Sequence, residues 1–202
     1  MKSIKYLFPI FLACISILSC AKDSPTDKEE QQKADPLSES LHIYFETAKW
    51  KREIDCTHLE LPPLDLDETS YYVEAISAST NSTFKFSYPN TASALTTASN
   101  IKKYPVSDFA ELKGPFHFAL LLPINAESIA PGNPRIASNA GSSDTEYTEI
   151  IKIERIGTEN GKAAFEIQGR YAFIGRTVGE SSSGETSPVK GSFKLKVFTQ
   201  DI

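Results

Sequence analysis

The chain has few of the residues from which catalytic and metal sites are most often built. It contains three cysteines, three histidines and one tryptophan among its 202 residues. The zinc, redox and hydrolase signatures HxH, HExxH, CxxC and GxSxG do not occur in it. In those motifs the spacing places the metal-binding or catalytic side chains close together. We therefore predict that the protein is not an enzyme and that it needs no metal or cofactor.

A surplus of positive charge is also missing. The formal net charge is −5, and no basic stripe stands out along the chain. Nucleic acid and anionic lipid are bound by neutralising phosphates with lysine and arginine, so an acidic chain is repelled by both. This composition predicts that the protein has no nucleic-acid partner.

The chain has no apolar run long enough to span a bilayer, which takes about 20 residues. The apolar run near the start covers the twelve uncharged residues 7–18, and Lys2 and Lys5 precede it. A positive start, a short apolar run and a small residue at the cut are typical of an export signal. Residues 1–19 are therefore predicted to be a signal peptide, with a permanent transmembrane helix as the less favoured interpretation.

The residues at the end of that run sharpen the prediction. The sequence Ile17-Leu18-Ser19-Cys20 resembles the lipobox of bacterial lipoproteins. The resemblance implies cleavage before Cys20, diacylglycerol on its sulfur and a fatty acid such as palmitate on its new amine. Cys14 is a poorer candidate because cleavage there would leave Ile15 to Leu18 exposed. Three acyl chains make a durable membrane anchor, since a single chain binds only marginally.

The residues after the lipidation site bear on the location. An aspartate directly after the cysteine would resemble the inner-membrane retention signal of Gram-negative lipoproteins, and here Ala21 stands in that place. We therefore expect an outer-membrane location. Lys22-Asp23 partly resembles the charged signals that direct some lipoproteins to the cell surface, so both the surface and the periplasmic face stay open.

The next segment predicts a spacer followed by one domain. Residues 21–40 include nine charged side chains, two prolines and no aromatic residue, so they cannot bury enough apolar surface to order themselves. We interpret 20–40 as the lipidated cysteine and a flexible tether, which at this length reaches roughly 25 Å. Residues 41–202 have the usual size of a single domain.

Period-two alternation dominates that domain. It is clearest at 165–173, 193–197 and 84–88, while 116–122 is apolar on both sides, as in a central strand. Further strands are predicted at 41–47, 56–61, 71–77 and 146–156. These patterns predict an antiparallel β-sandwich of about eight strands, or alternatively a small β-barrel. One short helix is expected at 107–112, with Ser107 as its cap and Gly114 after its end.

Two strand segments resemble each other. Gly169-Arg-Tyr-Ala-Phe173 and Gly191-Ser-Phe-Lys-Leu195 both read glycine, any residue, aromatic, any residue, apolar. Glycine within a strand often marks a bulge or a close backbone approach. With the 150–154 strand and the turn at 159–161, roughly the last sixty residues resemble small β-rich lipoproteins of unknown function from Gram-negative bacteria. That resemblance implies a β-sandwich and brings no active site with it.

A few single residues are candidates for function. Trp50, flanked by Lys49, Lys51 and Arg52, either stacks on a sugar or a cation or covers one end of the core. The long segment 124–145 is a candidate partner-binding loop. Asp65, Asp67 and Glu68 lie close together in the sequence, so a pair of carboxylates for glycoside cleavage stays open there.

Cys56 is alone once Cys14 and Cys20 are accounted for, so no intrachain disulfide is expected, and we predict that its thiol is a small buried group. The histidines, His42, His58 and His117, fall on predicted strands. His58 would share a strand face with Glu60, but satisfied or surface histidines are the favoured interpretation.

Three hypotheses follow for function. The first is a membrane-anchored envelope protein that acts as a non-catalytic interaction or structural module. The second is a glycan-binding module of a surface uptake system, which needs an exposed aromatic platform. The third is a small barrel that carries an apolar ligand, which needs a dry interior cavity.

Overall fold

The structure, a computed structural model, describes residues 38–179 and 184–200. The regular secondary structure in these ranges is almost entirely antiparallel sheet, with one α-helix, α1 (Ala92–Leu95), and a 3-10 turn at Ala98–Asn100. The strands there are β1 His42–Thr47, β2 Lys51–Asp55, β3 Leu64–Asp65, β4 Ser70–Ser77, β5 Ser82–Pro89, β6 Lys103–Tyr104, β7 Phe118–Pro123, β8 Arg135–Ala137, β9 Tyr147–Glu159, β10 Lys162–Val178 and β11 Thr186–Phe198. None of the described helices is long and apolar enough to cross a bilayer. The predicted signal peptide, Cys20 and the tether up to residue 37 lie outside the described residues.

The long strand β10 joins two layers. One edge of β10 pairs with β11 over most of its length, and the other edge pairs first with β9 and then, beyond Ala172, with β8. One layer therefore runs β2-β1-β11-β10-β9-β6, and the other runs β8-β7-β5-β4-β3. Because β2 and β3 are unpaired ends, the sheet is not closed into a barrel. The sandwich is confirmed, and the barrel alternative is wrong.

Aromatic rings fill the space between the layers. Phe118 of β7 stacks on Tyr171 of β10 with ring centroids 4.3 Å apart, and on Phe193 of β11 at 5.2 Å. Phe86 of β5 lies 5.0 Å from Phe193. All of these rings are buried. Such rings remove large apolar areas from water, and their offset contacts add to that gain, so the interior is a packed core.

The two similar glycine segments face each other. In the β10–β11 ladder Gly169 pairs with Phe193, and Tyr171 pairs with Gly191. A Cβ at Gly169 would lie 2.5 Å from the Phe193 ring, and one at Gly191 would lie 2.6 Å from the Tyr171 hydroxyl. Each aromatic ring therefore lies over the glycine of the neighbouring strand. The ladder between β9 and β10 also shifts register at Gly169, so the predicted bulge or close approach is confirmed.

The predicted helix at 107–112 is wrong. Ser107 Oγ accepts a hydrogen bond from the Lys113 amide six residues further on, and the Asp108 carboxylate accepts one from the Ala110 amide. Side chains that bond to nearby amides in this way compete with helix formation. The helix of the described residues is instead α1, where Thr91 accepts a bond from the Ala94 amide, in a stretch without clear periodicity.

The strand predicted at 56–61 is also wrong. The Asp55 carboxylate accepts a hydrogen bond from the Thr57 amide, and the Leu59 amide donates to the Cys56 carbonyl. These bonds turn the chain just after the pair His42–Asp55 ends the β1–β2 ladder. His58 and Glu60 therefore share no strand face, and His117 lies just before β7. The count of about eight strands is low because β2 was not predicted, and because β3, β6 and β8 are two or three residues long and have no visible period.

Candidate functional site

Trp50 lies where the long 124–145 segment begins. Its indole N–H donates to the Pro123 carbonyl at 3.0 Å, and its ring meets Phe45 edge-on with centroids 4.7 Å apart. The turn that carries it is closed by Thr47, whose hydroxyl accepts bonds from the Lys49 and Trp50 amides. The ring is half-buried and packs against the core, while the neighbouring cations stay exposed. The structure therefore brings together the two places where a partner was expected.

Strand β8 divides the 124–145 segment into two parts with different surroundings. The first part, 124–134, connects β7 to β8 at the Trp50 end, and the Asn81 side chain holds it by donating to the Ile129 carbonyl at 2.8 Å. Ile129 is 39% exposed. The second part packs against the segment before β7, since Val106 and Gly141 exchange both backbone hydrogen bonds. Only the first part belongs to the Trp50 end.

The described chain starts at the opposite end of the sandwich. His42, at the start of β1, pairs with Lys194, which pairs with Gln168 of β10, whereas Arg135 of β8 pairs with Val178. Ten strand residues therefore separate the two rows, or about 33 Å at the usual rise per residue. We call the end with Trp50, the turn at 78–81 and the 124–134 loop the distal rim.

A cleft of about 350 Å³ contains a close serine–histidine pair. Ser107 Oγ and His117 Nδ1 are 2.8 Å apart, and the Lys113 amide donates to the same Oγ at 3.1 Å. The segment before β7 is further held by Ser87, whose hydroxyl accepts from the His117 amide. Left-handed backbone at Gly114 and Phe116 completes this tight turn.

The electrostatics of the cleft keep its histidine neutral. Burial, and after it the charge of Lys113, lower the pKa of His117. Ser107 Oγ and His117 Nδ1 share one hydrogen bond, whose donor depends on the tautomer of the ring, and Nε2 has no hydrogen bond within the described residues. Asp108, the acid of the cleft nearest in sequence to Ser107, is instead paired with Arg176 at 2.9 Å. Ser107 is only 3% exposed, so the pair is arranged to clamp the loop rather than to present a nucleophile.

The other candidate residues are dispersed. The His42 ring nitrogens meet the Ser40 carbonyl and the Ser192 hydroxyl at 2.8 and 3.1 Å, and His58 is exposed beside a groove of about 530 Å³ at the end remote from the rim. Within the described ranges no three histidine, cysteine or acidic residues are placed to hold a metal ion.

Asp67, one of the predicted acids, and the remaining cysteine Cys56 are both held by contacts within the fold. The Asp67 carboxylate accepts bonds from the Thr69 amide and hydroxyl, and the amide bond is the main reason why the pKa of Asp67 is lowered. A proton-donating acid would need a raised pKa. Cys56 is buried, as predicted, and burial followed by the nearby Asp55 charge raises the pKa of its thiol to about 12.

Sequence reasoning missed Ser107 and His117 as a pair, because ten residues of irregular chain separate them and no periodicity reports such a contact. It also missed Arg135, which opens a three-residue strand. Comparison with protein-family models, with curated proteins and with solved structures found no match. The fold and the rim by themselves define an open antiparallel β-sandwich with a loop-bearing end.

Proposed function

We propose that the chain is a lipoprotein of the bacterial envelope, anchored in the outer membrane through Cys20, whose domain binds another macromolecule at the distal rim and catalyses nothing. The anchor rests on the resemblance of residues 17–20 to a lipobox. The domain would face either the cell surface or the periplasm.

The observation that carries the proposal is the separation of the two ends. Any N-terminal tether joins the domain at Ser38. Trp50 lies in the turn that follows β1, five strand residues or about 17 Å beyond His42, and the 124–134 loop meets the sheet at the Arg135 row, ten strand residues or about 33 Å from the His42 row. A protein held to a membrane at one end contacts partners most freely at the other end. Loops suit this role because strands use their side chains in the core.

The absence of catalysis is supported by the state of the serine–histidine pair. Ser107 is buried and already accepts an amide bond, and no described group orients His117 from Nε2. A nucleophile needs both access and an oriented base. The cleft therefore favours a structural role over a hydrolytic one.

A glycan is the second candidate partner, because Trp50 offers a half-buried ring with an exposed cation, Arg52, two residues further along. The third hypothesis, an apolar ligand, has less support because rings occupy the space between the layers.

The anchor is tested by labelling cells with a fatty-acid probe. We expect label on the wild type and on Cys14→Ala, and none on Cys20→Ala. Equal labelling of Cys20→Ala would show that the anchor assignment is wrong.

Rim binding is tested by capture from envelope extracts with two matched variants. Ile129→Ser alters the rim, whereas Ile156→Ser removes a similarly exposed isoleucine, 43% accessible, from the remote part of β9. We expect capture to weaken only in Ile129→Ser. Weakening only in Ile156→Ser would place the binding surface elsewhere. Thermal shift with soluble glycans, lost in Trp50→Ala, would favour the glycan candidate.

A further inference from the structure

Arg135 differs from the other arginines of the described chain. Arg170 is paired with Glu149, Arg176 with Asp108, and Arg52 and Arg155 extend into solvent. Nη2 of Arg135 is instead inaccessible to solvent and has no hydrogen-bond acceptor among the described residues. A cationic donor that has lost its water without gaining an acceptor is costly, so this nitrogen lacks a partner.

The backbone fixes where this side chain lies. Arg135 pairs with Pro123 of β7 on one side and with Val178 of β10 on the other. The next residue, Ile136, is buried in the core, so Arg135 faces the outer side of the sheet. Its row is the last one at the distal rim. Pro123, its neighbour in that row, is also the acceptor of the Trp50 indole bond.

On the outer face of β8 and β10, the positive charge of Arg135 is not neutralised by an acid. Arg176 lies diagonally from Arg135 on the same face of β8 and β10, because Ala137 pairs with Arg176. Asp108 already neutralises Arg176 at 2.9 Å. Burial lowers the pKa of Arg135 without any acid to oppose the shift, which agrees with the missing acceptor.

We propose that Arg135 is the recognition arginine of the distal rim and that its guanidinium binds a single carboxylate of a protein partner. The side chain as a whole is half-buried, and it turns outward on binding so that the shielded Nη2 reaches the carboxylate. Arginine presents a planar fork of donors that matches a carboxylate. Arg135 is the cation of its row that no acid neutralises, and one such cation suits one carboxylate. Lys49, Lys51 and Arg52 are also exposed beside Trp50, so binding of a polyanion, which requires several free cations, is a separate outcome of the test. The inference rests on the proposed function and names the chemistry of its partner.

The first test uses acetate as the probe and the chain from residue 20 onward with Cys20→Ser. Acetate replaces chloride at constant ionic strength, and the side-chain Nε–H resonances of Arg135 and Arg176 are followed, each identified by its methionine variant. We expect a saturable shift of the Arg135 resonance and none of Arg176. No saturable shift of Arg135 would overturn the proposal.

Two further arms test whether a different anion or an internal acid takes the place of the carboxylate. Sulfate that binds more than about tenfold tighter than acetate would contradict a carboxylate partner. In Glu180→Gln, which changes an acid outside the described residues, we expect the same acetate response as in the wild type. A response that appears only in this variant would mean that an internal acid takes the site.

The partner itself is tested by capture from envelope extracts. We expect Arg135→Met to lower apparent affinity by about tenfold or more, Arg135→Lys to lower it less, and the charge-matched control Arg155→Met to leave it unchanged. Folding is checked by thermal melting, where Arg135→Met should not lose stability because it removes a half-buried cation whose Nη2 has no acceptor. Full capture by Arg135→Met, with capture still lost in Ile129→Ser, would overturn this inference and leave the proposed function standing.

Discussion

The β10–β11 hairpin and the segment 105–117 are both buried in part, but they are held in different ways. In the hairpin, rings lie over glycines, and a continuous ladder of thirteen residue pairs leaves no room for another atom. In the segment, a few side-chain hydrogen bonds and two left-handed residues fix an irregular path. The close fit of side chains therefore determines the structure of the hairpin, and hydrogen bonds to polar groups determine the structure of the segment.

The largest effect is expected at the centre of the rings. Phe193→Ala should lower the free energy of unfolding by about 3–5 kcal/mol, because it leaves a cavity against Phe86 and Phe118. Phe198→Ala, on the outward side of the same strand, is the control and should cost much less. Chemical denaturation measures both, and equal losses would show that the hairpin is not held by its packed face.

A slightly smaller loss is expected when a glycine of the pair is filled. A Cβ at Gly191 would overlap the Tyr44 carbonyl oxygen as well as the Tyr171 ring, so Gly191→Ala should destabilise by about 3 kcal/mol. Gly132→Ala has open space around it and only left-handed backbone to oppose it, and should cost about 1–2 kcal/mol. Thermal melts of the two variants test whether the loss of stability from steric overlap at Gly191 exceeds the loss from left-handed backbone at Gly132.

The polar region should respond less. Ser107→Ala removes the acceptor of the Lys113 amide and the partner of His117, and should cost about 1–3 kcal/mol. Ser142→Ala, which changes an exposed serine of the same cleft, should be near neutral. A neutral Ser107→Ala would mean that the segment does not depend on this bond.

The smallest effect is a pH dependence. Because the pKa of His117 is lowered in the folded protein, the unfolded chain binds a proton more readily, and stability is lost as pH falls below about 6.5 toward the folded pKa. Melting temperature should therefore fall less steeply between pH 7 and 5 in His117→Gln than in the wild type. Parallel curves would contradict the assignment.

These two regions also show how far sequence reasoning reached. Alternation predicted β10 and β11 and the inward side of each, because a strand buried on one face must repeat every two residues. The same reasoning misplaced the helix, since Ser107 had two uses for its hydroxyl and only the fold decides which donor and acceptor come near. The strand prediction at 56–61 failed for a similar reason, because the hydrogen bond from the Thr57 amide to the Asp55 carboxylate turns the chain despite the apolar pattern.

The candidate site was predicted only in part. Trp50 and the 124–145 segment were expected to bind, but their contact through Pro123 depends on β7 meeting the β1–β2 turn. Nothing in the sequence singled out Arg135, which begins a strand of only three residues. It becomes distinctive only in the folded protein, where its Nη2 is shielded from water without an acceptor. Cys56 was predicted correctly because burial of a lone cysteine follows from its chemistry.

The sequence by itself determined the class of the domain, its central strands and the close approach at the strand glycines, because local periodicity and side-chain size carry that information. The tertiary structure decided that the sheet stays open, that Ser107 and His117 meet, that Trp50 lies at the far end from Ser38 and that Arg135 lacks an acceptor. These outcomes depend on contacts between residues far apart in the chain, and the free energies that decide such contacts arise only when the layers pack together and exclude water.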